Sequence, residues 1–500
     1  MKGKRDMKKA KKILGLLLAM VMMMSVAITE MAKGETYSIT INNSAEGHTY
    51  EAYQIFTGDL STNEADAKVL SNIVWGSGVS EAGKTALGDA AAKAETLKTE
   101  ADAKAFAKEV APYLTTAAGS ASTVTDGNYV ISGLAAGYYL VKDQDGSLTG
   151  DNDSYTEYII KVVSDTTATP KSDKPKVEKK VKDTNDSTGV TSDWQDSADY
   201  DIGDSVPFQL KATLANNVSS YTTYKVVFHD TLSKGLTYKD DAKIYIDGKE
   251  TNGFTVTSTV NADGTTTLTV SCDDVKALGA GNSSVITVEY TATLNNNAVL
   301  GSSGNPNEVY LEYSNNPNKS GAGNNETGNT PEDVVIVFTY KTIINKVDGE
   351  GQPLTGAEFT LEKYNNETGI WEAIAVVKSD NGTTFTFSGL DDGKYRLTET
   401  TTPAGYNTID PIEFTITAEH EVLSDNPALT SLSGNATDDK ITFGSDVTEG
   451  SLSANVVNKA GSTLPETGGM GTTIFYVLGA ILVLGAAIML IAKKRMSSEK

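Results

Sequence analysis

Three polar residues in the last third of the chain each close an apolar stripe. In an extended segment alternate residues share a face, which groups Ile344 with Lys346, Tyr395 and Leu397 with Glu399, and Leu452, Ala454 and Val456 with Asn458. Gathered in one apolar core, the lysine is driven to lose its proton and the glutamic acid to keep its own, because desolvation disfavours both charged forms. A neutral amine is a nucleophile. A protonated acid can donate to an amide oxygen and shuttle protons, and fixed proximity removes much of the entropic barrier. The plain alternative is a buried Lys/Glu ion pair beside a hydrogen-bonded asparagine.

The same parity offers a second set. Val177 and Val181 flank Lys179, Tyr224, Val226 and Phe228 lead to Asp230, and Asn307 leads to Val309, Leu311 and Tyr313. A slip of one residue reverses every side chain, so Lys180 for Lys179 and Asn315 for Asn307 stay open. In the first third, Asp143 follows Gly137 at the distance at which Glu399 follows Gly393, and both glycines come after a Gly-Leu pair, Gly133-Leu134 and Gly389-Leu390. Asn42 or Asn43 stands there where a lysine should be, however, and no asparagine ends the last strand expected, residues 158–163. No cross-link is expected in that part, and Asp143 reads as a relic or a solvated residue.

The elements that must hold these groups are strands. From Thr36 onward short runs rich in Thr, Val, Ile and Tyr are punctuated by Gly, Asn and Asp, the pattern of all-β domains. The exception is residues 80–117, rich in Ala, Glu and Lys, where Phe106, Val110 and Leu114 recur as on one face of an amphipathic helix; it is placed as an insertion on the first β domain. The repeated glycine segments imply that the first and third domains share one sandwich fold.

The chain is long enough for about three domains of usual size. Breaks fall at residues 168–175, a flexible seam bracketed by Pro170 and Pro175, and at 334–341, a stiff one where a strand runs into the next domain. Residues 33–170, 171–340 and 341–460 are the expected domains, between a leader at 1–32 and a tail at 461–500.

Both ends carry export signals. Residues 1–12 are basic and 13–27 apolar, which reads as a secretory signal peptide cleaved near Ala27 or Ala32. At the other end Leu464-Pro465-Glu466-Thr467-Gly468 precedes a mostly apolar stretch, 473–492, and then Lys493-Lys494-Arg495, the order of a transmembrane helix with a positive stop. The net charge of −23 argues against nucleic acid or anionic membrane as a partner. A single cysteine, Cys272, excludes an intramolecular disulfide and reads as a small strand residue. His48, His229 and His420 are scattered, with His229 expected to face solvent, and no metal-binding, phosphate-binding or hydrolase motif is present. No metal, no cofactor and no enzymatic turnover are expected.

Separated motifs carry a resemblance. The stretches from Thr342 to Asp348, from Pro353 to Phe359 and from Tyr395 to Tyr406 resemble, in that order, a Cna B-type domain, the last looking like the E-box of Gram-positive pilins. FHDTLSKGLTY and NEVYLEYSNNP resemble the middle domains of backbone pilins, and the LPETG tail resembles the substrates of sortases, transpeptidases that cut between Thr and Gly. The resemblance implies tandem immunoglobulin-like (Cna-type) β-sandwiches in which lysine and asparagine side chains join in isopeptide bonds assisted by a buried acid: Lys346 and Asn458 with Glu399, and Lys179 and Asn307 with Asp230.

Thr169-Pro170-Lys171 partly matches the pilin motif V-Y-P-K-N, whose lysine attacks the sortase-bound threonine of a neighbouring subunit; Lys174 is a substitute. The function implied is a backbone subunit of a covalent pilus, joined between Thr467 of one copy and Lys171 of the next. Its implied partners are pilin-specific and housekeeping sortases, further copies of itself head to tail, accessory pilins, peptidoglycan and a host surface. The competing reading is a wall-anchored adhesin or accessory pilin that uses the same domains as a stalk.

Overall fold

The computed structural model describes residues 35–62, 67–148, 155–169, 173–319, 321, 326–377, 381–438, 440–461 and 470–497. The leader at 1–32, Lys171 and the pentapeptide from Leu464 to Gly468 lie outside the described residues. Apart from the helices around residue 100 and at the C-terminal end, the described chain is built from strands, and the fold is all-β.

Alternation in the sequence becomes alternation of burial. Along Ser205–Thr213, for example, Val206, Phe208, Leu210 and Ala212 are all buried and the residues between them are not. Each such side chain contributes about 1.5–3 kcal/mol when removed from water, which is what draws two sheets face to face. In the middle body one sheet contains Lys176–Val181, Ser205–Thr213 and Val285–Leu294, and the facing sheet contains Val226–Leu232, Thr266–Cys272, Asn305–Ser314 and Asp333–Phe338. Cys272 is buried at the end of its strand.

The first and third bodies share a strand plan. In the third, Tyr340–Val347 lies between Thr384–Leu390 and Ser451–Val457, antiparallel to the former and parallel to the latter. In the first, Tyr37–Asn42 lies in the same way between Asn128–Leu134 and Thr166–Ala168. Gly133 and Gly389 both take positive φ, 77° and 81°, but neither Gly-Leu pair is the turn expected: each ends its strand, Asn128–Leu134 or Thr384–Leu390, at a bulge in the pairing with the first strand of its body. A side chain at Gly389 would also strike Ile202 of the middle body, whose Cδ1 lies 2.5 Å from the position of an added Cβ.

Two sequence expectations are corrected here. The helical segment is not one helix: Ser80, Asp89 and Thr99 each cap a new start, giving Glu81–Leu87, Ala90–Thr96 and Glu100–Val110. Side-chain caps satisfy the free N–H groups of each first turn and so favour a restart over continuation. Leu114 has left the helix for an extended bridge to Val79, yet still packs on the core that holds Phe106 and Val110. The last strand of the first body is also later than residues 158–163: after Glu157–Val162 the short strand Thr166–Ala168 returns beside the first.

The seam between the middle and third bodies is continuous strand. Asp333–Phe338 and Tyr340–Val347 are separated by Thr339 alone; Val335 and Val337 belong to the middle core, Phe338 and Tyr340 to the third. At the end of the chain Met470–Ser497 is a helix of 28 residues, with side chains described over 476–490 only. Among the described residues no helix is long and apolar enough to cross a membrane.

Candidate functional site: two buried clusters of lysine, acid and asparagine

In the middle body Lys179 sits on Lys176–Val181, opposite Leu210 of the neighbouring strand. Its other edge faces the second sheet, where Asp333 Oδ2 accepts from the Lys179 backbone N–H at 2.6 Å. The side chain therefore enters the gap between sheets. Lys179, Asp230 and Asn307 are all fully buried. Lys179 Nζ lies 2.5 Å from Asp230 Oδ1, the Tyr290 hydroxyl donates to Asp230 Oδ2 at 2.5 Å, and Asn307 Nδ2 donates to the Tyr290 oxygen at 2.7 Å. Nζ also reaches that oxygen at 3.2 Å. Asn307 Oδ1 is buried with no hydrogen-bond partner.

One chain of contacts thus runs from the amine through both carboxyl oxygens and a phenol to the amide nitrogen. Burial pushes the Lys179 amine down, against the pull of Asp230, and pushes the Asp230 carboxyl up, against Lys179 and Tyr290. Both are driven toward their neutral forms. The alternatives point elsewhere: Lys180 pairs with Asp196 on the outer face, and Asn315 lies one residue past the strand Asn305–Ser314. Asn307 is not on the last strand of this body, since Thr327–Asn329 and Asp333–Phe338 both follow and pair with its strand.

In the third body the partners come from adjacent parallel strands and a facing sheet. Lys346 is opposite Val456, and Asn458, two residues on, keeps the same face; its backbone N–H donates to Val347 O at 3.0 Å. Asn458 Nδ2 donates to Glu399 at 3.0 Å to Oε1 and 3.1 Å to Oε2, while Oδ1 is buried without a partner. Lys346 Nζ donates to the carbonyls of Val347 and Val456, each at 3.0 Å. Burial lowers its amine to about 8, opposed by Glu399 and Asp348.

The first body holds the counterpart of this set without the amine. Ile41 and Ile344 stand opposite Tyr129 and Phe385 on equivalent strands, which makes Asn43 the counterpart of Lys346; it donates to the Tyr50 hydroxyl at 2.9 Å. Asp143 is 1% exposed, which corrects the reading of it as a solvated residue. It accepts from the Thr156 N–H at 2.7 Å and hydroxyl at 2.8 Å, and lies 2.7 Å from His48 Nδ1. Its partners come from distant segments, so nothing next to it in the chain announced its burial.

Tyr290 escaped the sequence reading. A signal was there, in the inward stripe Ile286, Val288, Tyr290, Ala292 of its strand, because a tyrosine on such a stripe must find a partner for its hydroxyl. Among the histidines, His229 lies on the outer face of its sheet, as expected, partly covered by Glu312 at 3.0 Å. His420 is not isolated either: it stands with Asp183 and Asp199. Lys171 and the pentapeptide with Thr467 are outside the described residues, whereas Lys174 is described and half-buried.

Comparison with known proteins agrees with these features. Residues 202–317 match the Gram-positive pilin backbone subunit 2, Cna-B-like domain, residues 341–427 the Prealbumin-like fold domain, and residues 456–498 the LPXTG cell wall anchor motif. The trypsin-resistant surface T6 protein of Streptococcus pyogenes serotype M6 is 25% identical over 560 aligned residues, covering 96% of this chain and 98% of that one. The solved T6 backbone pilin of S. pyogenes serotype M6 shares the fold, with a TM-score of 0.57 at 19% identity over 87% of this chain and 100% of that one. The full-length major pilin SpaD of Corynebacterium diphtheriae is similar at a TM-score of 0.49 and 18% identity, over 87% of this chain and 99% of that one.

Proposed function

We propose that this chain, composed of Gram-positive backbone-pilin domains and closed by an LPXTG cell wall anchor, is the structural backbone subunit of a sortase-polymerised pilus. Its work is mechanical, and it is a substrate of sortase rather than an enzyme. The observation that carries this reading is the buried path from Lys179 through Asp230 and Tyr290 to Asn307, an arrangement suited to making a covalent tie inside a sandwich.

The chemistry follows from the contacts. Lys179 Nζ attacks the side-chain carbonyl carbon of Asn307, and the C=O π pair moves onto oxygen as the N–C bond forms. The proton shed by Nζ passes to Asp230 Oδ1. With the carbon tetrahedral, Nδ2 regains a lone pair; the Tyr290 hydroxyl turns to it and gives its proton while taking one from Asp230 Oδ2, the oxygen's pair returns, the C–N bond breaks and ammonia leaves. In the third body Glu399 touches the leaving nitrogen directly, so one carboxyl does the work of the Asp230–Tyr290 relay for Lys346 and Asn458. Each tie forms once. Pulling along the fibre then loads covalent bonds rather than hydrogen bonds worth about 0.5–1.5 kcal/mol each.

Subunits join between Thr467 of one copy and Lys171 of the next, across the boundary between domains at 33–170 and 171–340; the third domain, 341–460, leads to the anchor. The lysine must approach the sortase thioester as a free amine. Pilin-specific sortase polymerises, and housekeeping sortase transfers the finished fibre to peptidoglycan; accessory pilins share the fibre.

Immunoblotting of cell wall extract tests the proposal. A ladder resistant to boiling in detergent is expected, and Lys171→Arg, which keeps the charge but cannot become a nucleophile, should abolish it while monomer remains wall-anchored. A persisting ladder in that variant moves the junction to Lys174 or another lysine. A single band in the unaltered protein instead makes the chain a wall-anchored adhesin or accessory pilin.

A further inference from the structure

A second group of side chains gathers where the middle and third bodies meet. Asp183 follows the strand Lys176–Val181, Asp199 ends the strand Ser197–Asp199, and His420 ends the strand Ile412–His420 of the third body. His420 Nε2 lies 3.6 Å from Asp183 Oδ2 and 3.9 Å from Asp199 Oδ1, and one donor atom from each residue falls within 4.8 Å of the others. These gaps are too long for hydrogen bonds. They are close to the edges of a ligand shell, since donors around a tetrahedral zinc ion stand about 3.3–3.6 Å apart.

The hydrogen bonding decides which way the imidazole presents itself. Ser197 has a single hydroxyl proton, and it goes to the Glu421 carbonyl at 2.6 Å, which can only accept. The Ser197 oxygen therefore accepts from His420 Nδ1, 2.7 Å away, so Nδ1 carries the hydrogen. In the neutral ring the lone pair is on Nε2, aimed at two carboxylates from a side chain that is 8% exposed. A ring nitrogen fixed by a hydrogen bond at its far side is the usual state of a metal-ligating histidine.

A further buried polar atom is left over beside it. Asp183 Oδ1 has no hydrogen-bond partner, while the Tyr340 hydroxyl stands against the Asp199 carboxylate, which pushes its phenol up, after burial. The neighbouring acidic group, Asp186, Asp201, Asp204 and Asp391, is different: Lys363 Nζ enters it at 3.1 Å from Asp186, 2.6 Å from Asp201 and 2.5 Å from Asp391. There the chain supplies its own cation. Among the described residues, the cationic side chain within ion-pair distance of Asp183 and Asp199 is His420 itself.

We propose that Asp183, Asp199 and Nε2 of His420 bind a divalent zinc-class metal ion that staples the middle body to the third. Two carboxylates and an imidazole leave a fourth position for water, as a zinc site allows. Calcium is disfavoured because it takes about six to eight oxygen ligands, and imidazole suits zinc, copper, iron or nickel. Such an ion would resist rotation at the joint, whereas the Lys–Asn ties act within a body.

The test is calorimetric titration of the full, untagged chain in detergent, stripped by a chelator and then given zinc chloride. One saturable site per chain is expected. His420→Ala and Asp199→Asn should each weaken it by at least about ten-fold, while His229→Ala, on the outer face of the middle body, should not change it. Zinc should also raise the melting temperature of the unaltered chain by mass action and leave that of His420→Ala where it was. If Asp199→Asn does not fold, the more exposed Asp183→Asn carries the same comparison. Absence of a saturable site, equal binding by His420→Ala, or a site that takes calcium chloride in preference to zinc chloride would overturn the proposal.

Discussion

Asn458 directs its side-chain nitrogen at both carboxyl oxygens of Glu399, at 3.0 and 3.1 Å, across the space between the facing sheets of the third body. The acid is therefore placed on the group that must leave, not on the attacking amine. Glu399→Ala should leave this body folded but untied. The unaltered protein should weigh less than its processed sequence by two ammonia molecules, and the variant by one. Losing a tie that closes the segment between Lys346 and Asn458 should cost about 5 kcal/mol, by the loop entropy that applies to other cross-links, read as a lower melting temperature and faster proteolysis. Bond formation at the normal rate in the variant would remove Glu399 from the role.

Tyr290→Phe separates the relay from the packing of the middle body. The ring stays, but Asn307 Nδ2 and Asp230 Oδ2 lose the hydroxyl between them. Unsatisfied buried groups of this kind cost about 1–3 kcal/mol. Intact mass should show that the ammonia of the middle body is retained for longer after folding, while that of the third body is lost on schedule. Equal rates in both would mean that Asp230 delivers its proton without help.

The lysine of the third body predicts a pH dependence. Burial holds Lys346 at about 8, so between that pH and the ordinary lysine range near 10.5 the unfolded chain binds more protons than the folded one. Stability of an untied third body must then rise with pH across this window and level off on either side. Asn458→Ala, which cannot form the tie, is the variant in which to measure this by denaturant titration. A fall in stability over the same window contradicts a depressed amine.

Asp143→Ala tests a role without a bond. Its carboxylate takes two hydrogen bonds from Thr156 and lies beside His48 in a buried site, so its removal should destabilise the first body by about 3 kcal/mol through stranded donors. The mass of the folded protein should differ from the unaltered one by the substitution alone. A further change of one ammonia would mean that the first body forms a tie after all.

What could be read without coordinates was what depends on period and order along the chain. Side chains in a strand alternate whatever the strand packs against, so the faces of Lys179, Asp230 and Asn307, and of Lys346, Glu399 and Asn458, followed from their apolar neighbours. The matching Gly-Leu pairs likewise announced that the first and third bodies share a strand plan, since the positive φ of a bulge is a local demand met by glycine.

Tertiary packing decided what those faces meet. Tyr290 enters the middle cluster from the opposing sheet, and only the stacking of the sheets brings its hydroxyl to Asp230 and Asn307. Thr166–Ala168 is a strand because it can lie beside Tyr37–Asn42, not because its few residues demand it. Asp143 is buried by partners from other segments, and His420 meets Asp183 and Asp199 only because the third body folds back against the middle one. Alternation is a property of neighbours in the chain; desolvation and proton transfer are properties of neighbours in space, and those were set by the docking of sheets.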